Sequence, residues 1–161
     1  MIKLVFVMET RSSNRSDWMY IKSTIDYFYK PRTFALDKIF ATTKSELIQQ
    51  DVRINNIING STREVKVIVV ADYDRDEDLN KTIEEYCNER NYDLVWMNLD
   101  VEDVYLGEQV PNNRKKTAAI NFQAKKHKLL PNIKGLDNNA PLKTRHSTNL
   151  LLVLDKYISR V

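Results

Sequence analysis

The chain has 161 residues, 42% hydrophobic and 29% charged, with three glycines, four prolines and a formal net charge of +3. That length suits one domain around a single core; no apolar stretch nears the roughly 20 residues that span a bilayer, the opening MIKLVFVMETR is unlike a secretory signal, and the lone Cys87 excludes an internal disulfide. Charge is unevenly spread: residues 1–107 hold 14 Lys+Arg against 19 Asp+Glu, whereas residues 108–161 hold 11 against 3.

Residues 2–8 read as a first strand, and Ser16 as the cap of a helix running to about Tyr29. The apolar face of that helix is Trp18, Ile21, Ile25 and Phe28, at helical spacing, and Pro31 stops it. Asp37 to Thr42 is a weaker second strand. A helix from about Thr43 to Ile58 follows, with Leu47, Ile48, Val52, Ile54 and Ile58 facing inward and Asn59-Gly60 ending it. Val65 to Ala71 is β-branched and almost wholly apolar, as suits a strand buried on both faces of a parallel sheet. Asp78 caps a third helix, whose face is Leu79, Ile83, Tyr86 and Cys87, so Cys87 reads as a core thiol. Asp93 to Met97 is the fourth strand. The order β-α-β-α-β-α-β predicts an α/β fold with a mostly parallel sheet and helices on both faces. Beyond it, Val101 to Leu106 reads as a short helix, Pro111 to Lys128 as basic and partly helical, and Leu129 to Lys143 as a loop with a mobile composition. Ser147 caps a last helix with Leu150, Leu151, Leu154 and Ile158 inward. Nothing splits the chain into domains; residues 1–107 form an acidic α/β core and residues 108–161 a basic C-terminal part of one unit.

The chemistry points to the strand ends. Glu9 follows the first strand, and Asp72 and Asp74 follow the third. Open α/β sheets bind ligands outside the carboxyl ends of their strands. In extended chain, alternate residues point the same way, so D-x-D can present two carboxylates to one cation. Three converging acids repel unless a cation holds them, and oxygen-only ligands suit Mg²⁺ or Mn²⁺. In the metal-free state such a cluster should share an elevated, coupled titration. Asp76, Glu77 and Asp78 also fit a helix cap. An EF-hand alternative fails, because its turn position is Leu79 rather than glycine and a strand precedes it. Asn98, Asp100, Glu102 and Asp103 form a third polar group, equally readable as a helix start. Arg11 and Arg15, at a helix start, suit a phosphate. The segment NNRKKTAAINFQAKKHK holds Arg114, Lys115, Lys116, Lys125, Lys126 and Lys128 with no acid, which suits a nucleic-acid backbone or simply a solvated face. No Ser-His-Asp or Cys-His set can be assembled around His127 or His146, and no phosphate-binding glycine loop occurs.

Glutamate after the first strand and D-x-D after the third, in a four-strand α/β unit, resembles the Toprim domain. VWMNLDVEDVYLG and HSTNLLLVLDKYI are similar to the closing segments of small RloB-like and abortive-infection Toprim proteins. The resemblance implies a three-layer α/β/α Toprim-like, Rossmann-like fold with a C-terminal helix. It implies Mg²⁺ (or Mn²⁺) held by Glu9, Asp72 and Asp74, with Glu102 as a further ligand and Glu9 as base. The implied activity is phosphodiester cleavage of DNA or RNA in phage defence or repair, in the cytoplasm. Arg11, Arg15, Arg114, Lys115, Lys116, Lys125 and Lys126 would guide the strand. An ABC-type or AAA ATPase partner is implied, and a homo-oligomer is compatible; a membrane partner is not. The competing reading is a non-catalytic Toprim module that regulates an ATPase or binds nucleic acid. Thr10 departs from the pattern, since many Toprim domains carry glycine after the glutamate.

Overall fold

The computed structural model describes residues 1–9 and 15–161. Four strands, β1 (Ile2–Glu9), β2 (Phe34–Ala41), β3 (Val65–Tyr73) and β4 (Asp93–Asn98), form one sheet in the order β2-β1-β3-β4. Every pairing is parallel. The helices are α1 (Ser16–Phe28), α2 (Asp51–Gly60), α3 (Glu77–Arg90), α4 (Val101–Leu106), α5 (Lys115–Ala124), α6 (Lys126–Leu129) and α7 (Leu150–Leu154). They cover both faces, giving a three-layer, Rossmann-like α/β architecture. No described helix is long and apolar enough to cross a membrane.

Strand alternation sorts the core into two layers. Leu4, Phe6, Met8, Ile68, Val70, Val95 and Met97 face α1, α4, α5 and α7, where Tyr20, Ile21, Ile25, Val104, Phe122 and Leu150 meet them. Val5, Val7, Ile39, Val67, Val69, Ala71 and Trp96 face α2 and α3 through Ile54, Ile83, Tyr86 and Cys87. Cys87 is a core thiol, its pKa pushed up to about 12 by burial. Strand direction leaves β1 toward β2 with α1 on one face, and β3 toward β4 with α3 on the other. The reversal lies between β1 and β3, where an open sheet splits its crossovers and leaves a crevice at the carboxyl ends.

Local boundaries differ from the sequence expectations in informative ways. The segment expected as one helix from Thr43 to Ile58 is a 3₁₀ turn over Lys44–Gln49 followed by α2. The tighter turn, three residues rather than 3.6, shifts the phase of the face. Leu47 and Ile54 stay buried, but Val52 is 73% and Ile58 38% exposed, and Ile57 packs inward instead. Thr43 and Glu46 close a capping box over the 3₁₀ turn. Asp76, not Asp78, caps α3, its carboxylate accepting from the Leu79 amide at 3.2 Å. Ser16 is the first residue of α1 rather than its cap. β2 begins at Phe34, earlier than its sequence pattern suggested.

The C-terminal segment is tied down. Leu136 is buried, and the Thr148 amide donates to Gly135 O at 2.7 Å. Gly135 has no alternative there, because a Cβ would lie 2.2 Å from His146 O. Asn149, the residue before α7, covers the free edge of β4 with its side chain. Its Oδ1 accepts from the Trp96 amide at 2.9 Å and its Nδ2 donates to Leu94 O at 3.0 Å. Thr148 bridges Met97, and the Asn98 amide donates to Ser147 O. Ser147 therefore serves this edge rather than capping α7, which is shorter than expected. Leu150, Leu151, Leu154 and Ile158 are all buried, as their spacing requires.

Candidate functional site

Acidic residues gather at the carboxyl end of the sheet. Glu9 ends β1, and Asp72 lies one residue before the end of β3. The two strands are neighbours, in register through Met8 and Val70. Asp100 and Glu102 follow β4 at the start of α4, and Asp17 sits in the first turn of α1. Helices that leave parallel strands point their N-termini to this end, so first-turn acids arrive beside strand-end acids.

The carboxylates feel one another. Burial raises the Asp72 pKa well above the usual carboxylate range, and the charges of Asp17, Glu9, Asp100 and Glu102 raise it further. Asp17 is pushed up to about 7, mostly by burial and next by Glu102, with Lys115 pulling the other way and Glu9 and Asp100 adding to the rise. Glu102 is only 1% exposed, and neither of its carboxylate oxygens accepts a hydrogen bond. Lys115 Nζ stands 3.4 Å from its Oε1, beyond the roughly 2.7–2.9 Å of a charge-assisted hydrogen bond. Burial raises the Glu102 pKa; Lys115 opposes and Asp100 reinforces that rise. The buried Tyr20 hydroxyl is likewise unmatched, and its pKa is raised by burial and then by Glu102 and Asp17. Buried carboxylate oxygens without hydrogen bonds, only partly balanced by the Lys115 ammonium, are groups a hard cation satisfies. The donor set therefore fits Mg²⁺ or Mn²⁺ in chemistry. Among the described residues, no three His, Cys, Asp or Glu side chains stand as a ready-made ligand group.

Asp74 parts from Asp72. The chain leaves the strand after Tyr73, so the alternation that would aim both carboxylates one way ends there. Asp74 Oδ1 accepts from Lys44 Nζ at 2.9 Å and from the Asp76 amide at 3.0 Å. Lys44 is itself buried, hydrogen-bonded to Asn80 and placed over the Trp96 ring on the α3 side of the sheet. Partial burial works to raise the Asp74 pKa, but the Lys44 and Asp76 hydrogen bonds outweigh it and the net shift is downward. The shared elevated titration anticipated for Glu9, Asp72 and Asp74 does not extend to Asp74: Asp72 is raised and Asp74 lowered.

The basic residues divide by role. Lys115, at the start of α5, is drawn to Glu102, and Lys126 pairs with Asp26 of α1 at 3.8 Å. Arg114, Lys116 and Lys125 are exposed. Arg15 lies immediately before α1 with its guanidinium 5.3 Å from the Phe40 ring centroid. Arg11 and Thr10 lie outside the described residues.

Sequence reasoning overlooked Asp17, because an acid beside Ser16 reads as an ordinary first-turn residue. The available signal was positional: the first helix of an α/β unit starts at the same sheet end as the Glu9 loop. Asp103 was grouped with its neighbours, yet it turns away to meet His146, Nδ1 lying 3.0 Å from its Oδ2. Comparison with protein-family models, curated proteins and solved structures found no match.

Proposed function

We propose that this protein is a Mg²⁺- or Mn²⁺-dependent nuclease, or the nuclease subunit of a larger assembly, of Toprim type. One observation carries the reading: Glu9, Asp17, Asp72, Asp100 and Glu102 converge electrostatically at the crevice between β1 and β3, with Glu102 buried and its oxygens unmatched. A divalent cation there would neutralise the acids and polarise a phosphoryl oxygen. Asp72 and Glu102 would hold it with Glu9, and Glu9 would be the base that takes a proton from the attacking water. Lys115, beside Glu102, sits where a substrate phosphate would approach, and exposed Arg114, Lys116 and Lys125 extend that positive edge along α5. In this reading Asp74 supports the site through Lys44 rather than touching the ion. Cytoplasmic action in phage defence or repair, with an ATPase partner or as a homo-oligomer, belongs to the same proposal.

The test is cleavage of single- and double-stranded DNA and RNA in Mg²⁺, Mn²⁺ or EDTA by wild type and Asp72→Asn. Metal-dependent cutting that disappears in the variant supports the proposal. Absence of cutting in every condition, with nucleic-acid binding intact in Asp72→Asn, turns the conclusion to the second reading, a non-catalytic module. The observation favouring that reading is specific: an internal lysine already neutralises Asp74.

A further inference from the structure

A pocket with polar and apolar lining opens beside α4. It has a volume of about 450 Å³ and lies between α4 and the loops around Lys134 and Arg145. Lys134, Arg145 and His146 line it, together with Asn138 and Thr144, and no carboxylate is among its lining residues. Behind it, a backbone carbonyl holds the imidazole: His146 Nδ1 donates to Asp103 O at 3.1 Å, while the buried Asp103 Oδ2 stands 3.0 Å from the same nitrogen without a hydrogen bond. With Nδ1 engaged, Nε2 is the ring nitrogen left for a ligand.

The wall is built rather than incidental. His146 sits in the left-handed region at φ 57°, a conformation non-glycine residues hold only when their surroundings enforce it. The enforcing contact is the close pass of Gly135 beneath His146 O, together with the Thr148-to-Gly135 hydrogen bond. Three separate features thus coincide: two cationic side chains, an imidazole held through Nδ1 by a backbone carbonyl, and a glycine-dependent loop crossing that sets the ring's place.

We propose that this pocket binds a phosphate monoester, taken from a free nucleotide or from the terminal phosphate of a strand. Lys134 and Arg145 supply the charge, Asn138 Nδ2 donates a directional hydrogen bond to an ester oxygen, and His146 Nε2, unprotonated when Nδ1 donates to Asp103 O, accepts from the P–OH of the monoanion. The site is independent of the cation chemistry proposed at the β1/β3 crevice, and can hold where that reading fails.

The experiment titrates ¹⁵N-labelled protein in EDTA with inorganic phosphate, adenosine 5′-monophosphate, and an oligonucleotide with and without a 5′-phosphate. Saturable shifts at Gly135, Arg145 and His146 are expected with the phosphomonoesters and not with the 5′-hydroxyl strand. Arg145→Ala and His146→Asn should each weaken binding about tenfold, roughly 1.4 kcal/mol, whereas Asp72→Asn leaves it unchanged. Asparagine tolerates the left-handed backbone, so His146→Asn removes the ring without unfolding the loop. No saturable shift in the wild type, or equal affinity in the Arg145→Ala and His146→Asn proteins, overturns the proposal.

Discussion

Replacing Asp17 with asparagine should stabilise this protein in a pH-dependent way. The native carboxyl titrates near 7, against 3.8 without the fold. Between those values the native state holds more protons than the unfolded chain, so Asp17 makes stability fall as pH rises, and its full cost is present above the native pKa. At about 1.4 kcal/mol per unit, the charge costs on the order of 2 kcal/mol at pH 5 and on the order of 4 kcal/mol at pH 8. Against this stands the favourable meeting of a first-turn acid with the helix dipole, about 0.3–1 kcal/mol, which asparagine forfeits. The cost of burying the charge, with repulsion added to it, outweighs the dipole, leaving a net gain on the order of 3 kcal/mol at pH 8. Because Asp17 is the largest charge acting on Asp72, its loss also lets Asp72 ionise more readily. Thermal melts of Asp17→Asn and wild type in EDTA, at pH 5 and pH 8, are the assay. With about 2–4 °C per kcal/mol for a chain of this size, the midpoint gain should be several degrees at pH 8 and clearly smaller at pH 5. A gain that does not change with pH, or a loss at pH 8, would refute the reasoning.

Excess Mg²⁺ over EDTA should raise the melting midpoint of the wild type, by about 2.7 kcal/mol at one hundred times Kd; equal midpoints would argue against a cation at the crevice. Gly135→Ala drives a Cβ to 2.2 Å from His146 O and should cost about 2 kcal/mol or more by urea unfolding; an unchanged midpoint would show that the loops do not pass this closely. Asn149→Ala removes two hydrogen bonds from the β4 edge and should cost about 2 kcal/mol, with the Trp96 amide proton exchanging faster. Wild-type exchange rates in that variant would show that water replaces the side chain without loss.

What could be read from the chain was the part set by periodicity. Val65 to Ala71 has too little polarity to be anything but a two-sided strand, and the alternation of strands and helices leaves few parallel arrangements. The C-terminal leucines announced their burial by spacing alone. What could not be read depended on where the backbone turns. Asp72 and Asp74 look equivalent in sequence; only the end of β3 at Tyr73 sends one to the acidic crevice and the other to Lys44. Val52 and Ile58 were misplaced because a 3₁₀ turn reset the helical phase, which no apolar pattern reveals. Asp17 was hidden by its plain local role, since its distinction comes from burial and from charges on Glu102, Lys115 and Asp100, which lie far along the chain, together with nearby Glu9.

The Asn149 clasp has a consequence for how the chain reaches its folded state. β4 presents open amide and carbonyl groups until a residue 53 positions beyond Trp96 arrives to cover them. Such a long-range closure forms late, after the local β-α units have condensed. During that interval the core already has a bare strand at its rim, the kind of template on which other chains add. Aggregation during refolding should therefore depend on how fast the tail docks rather than on how stable the finished sheet is.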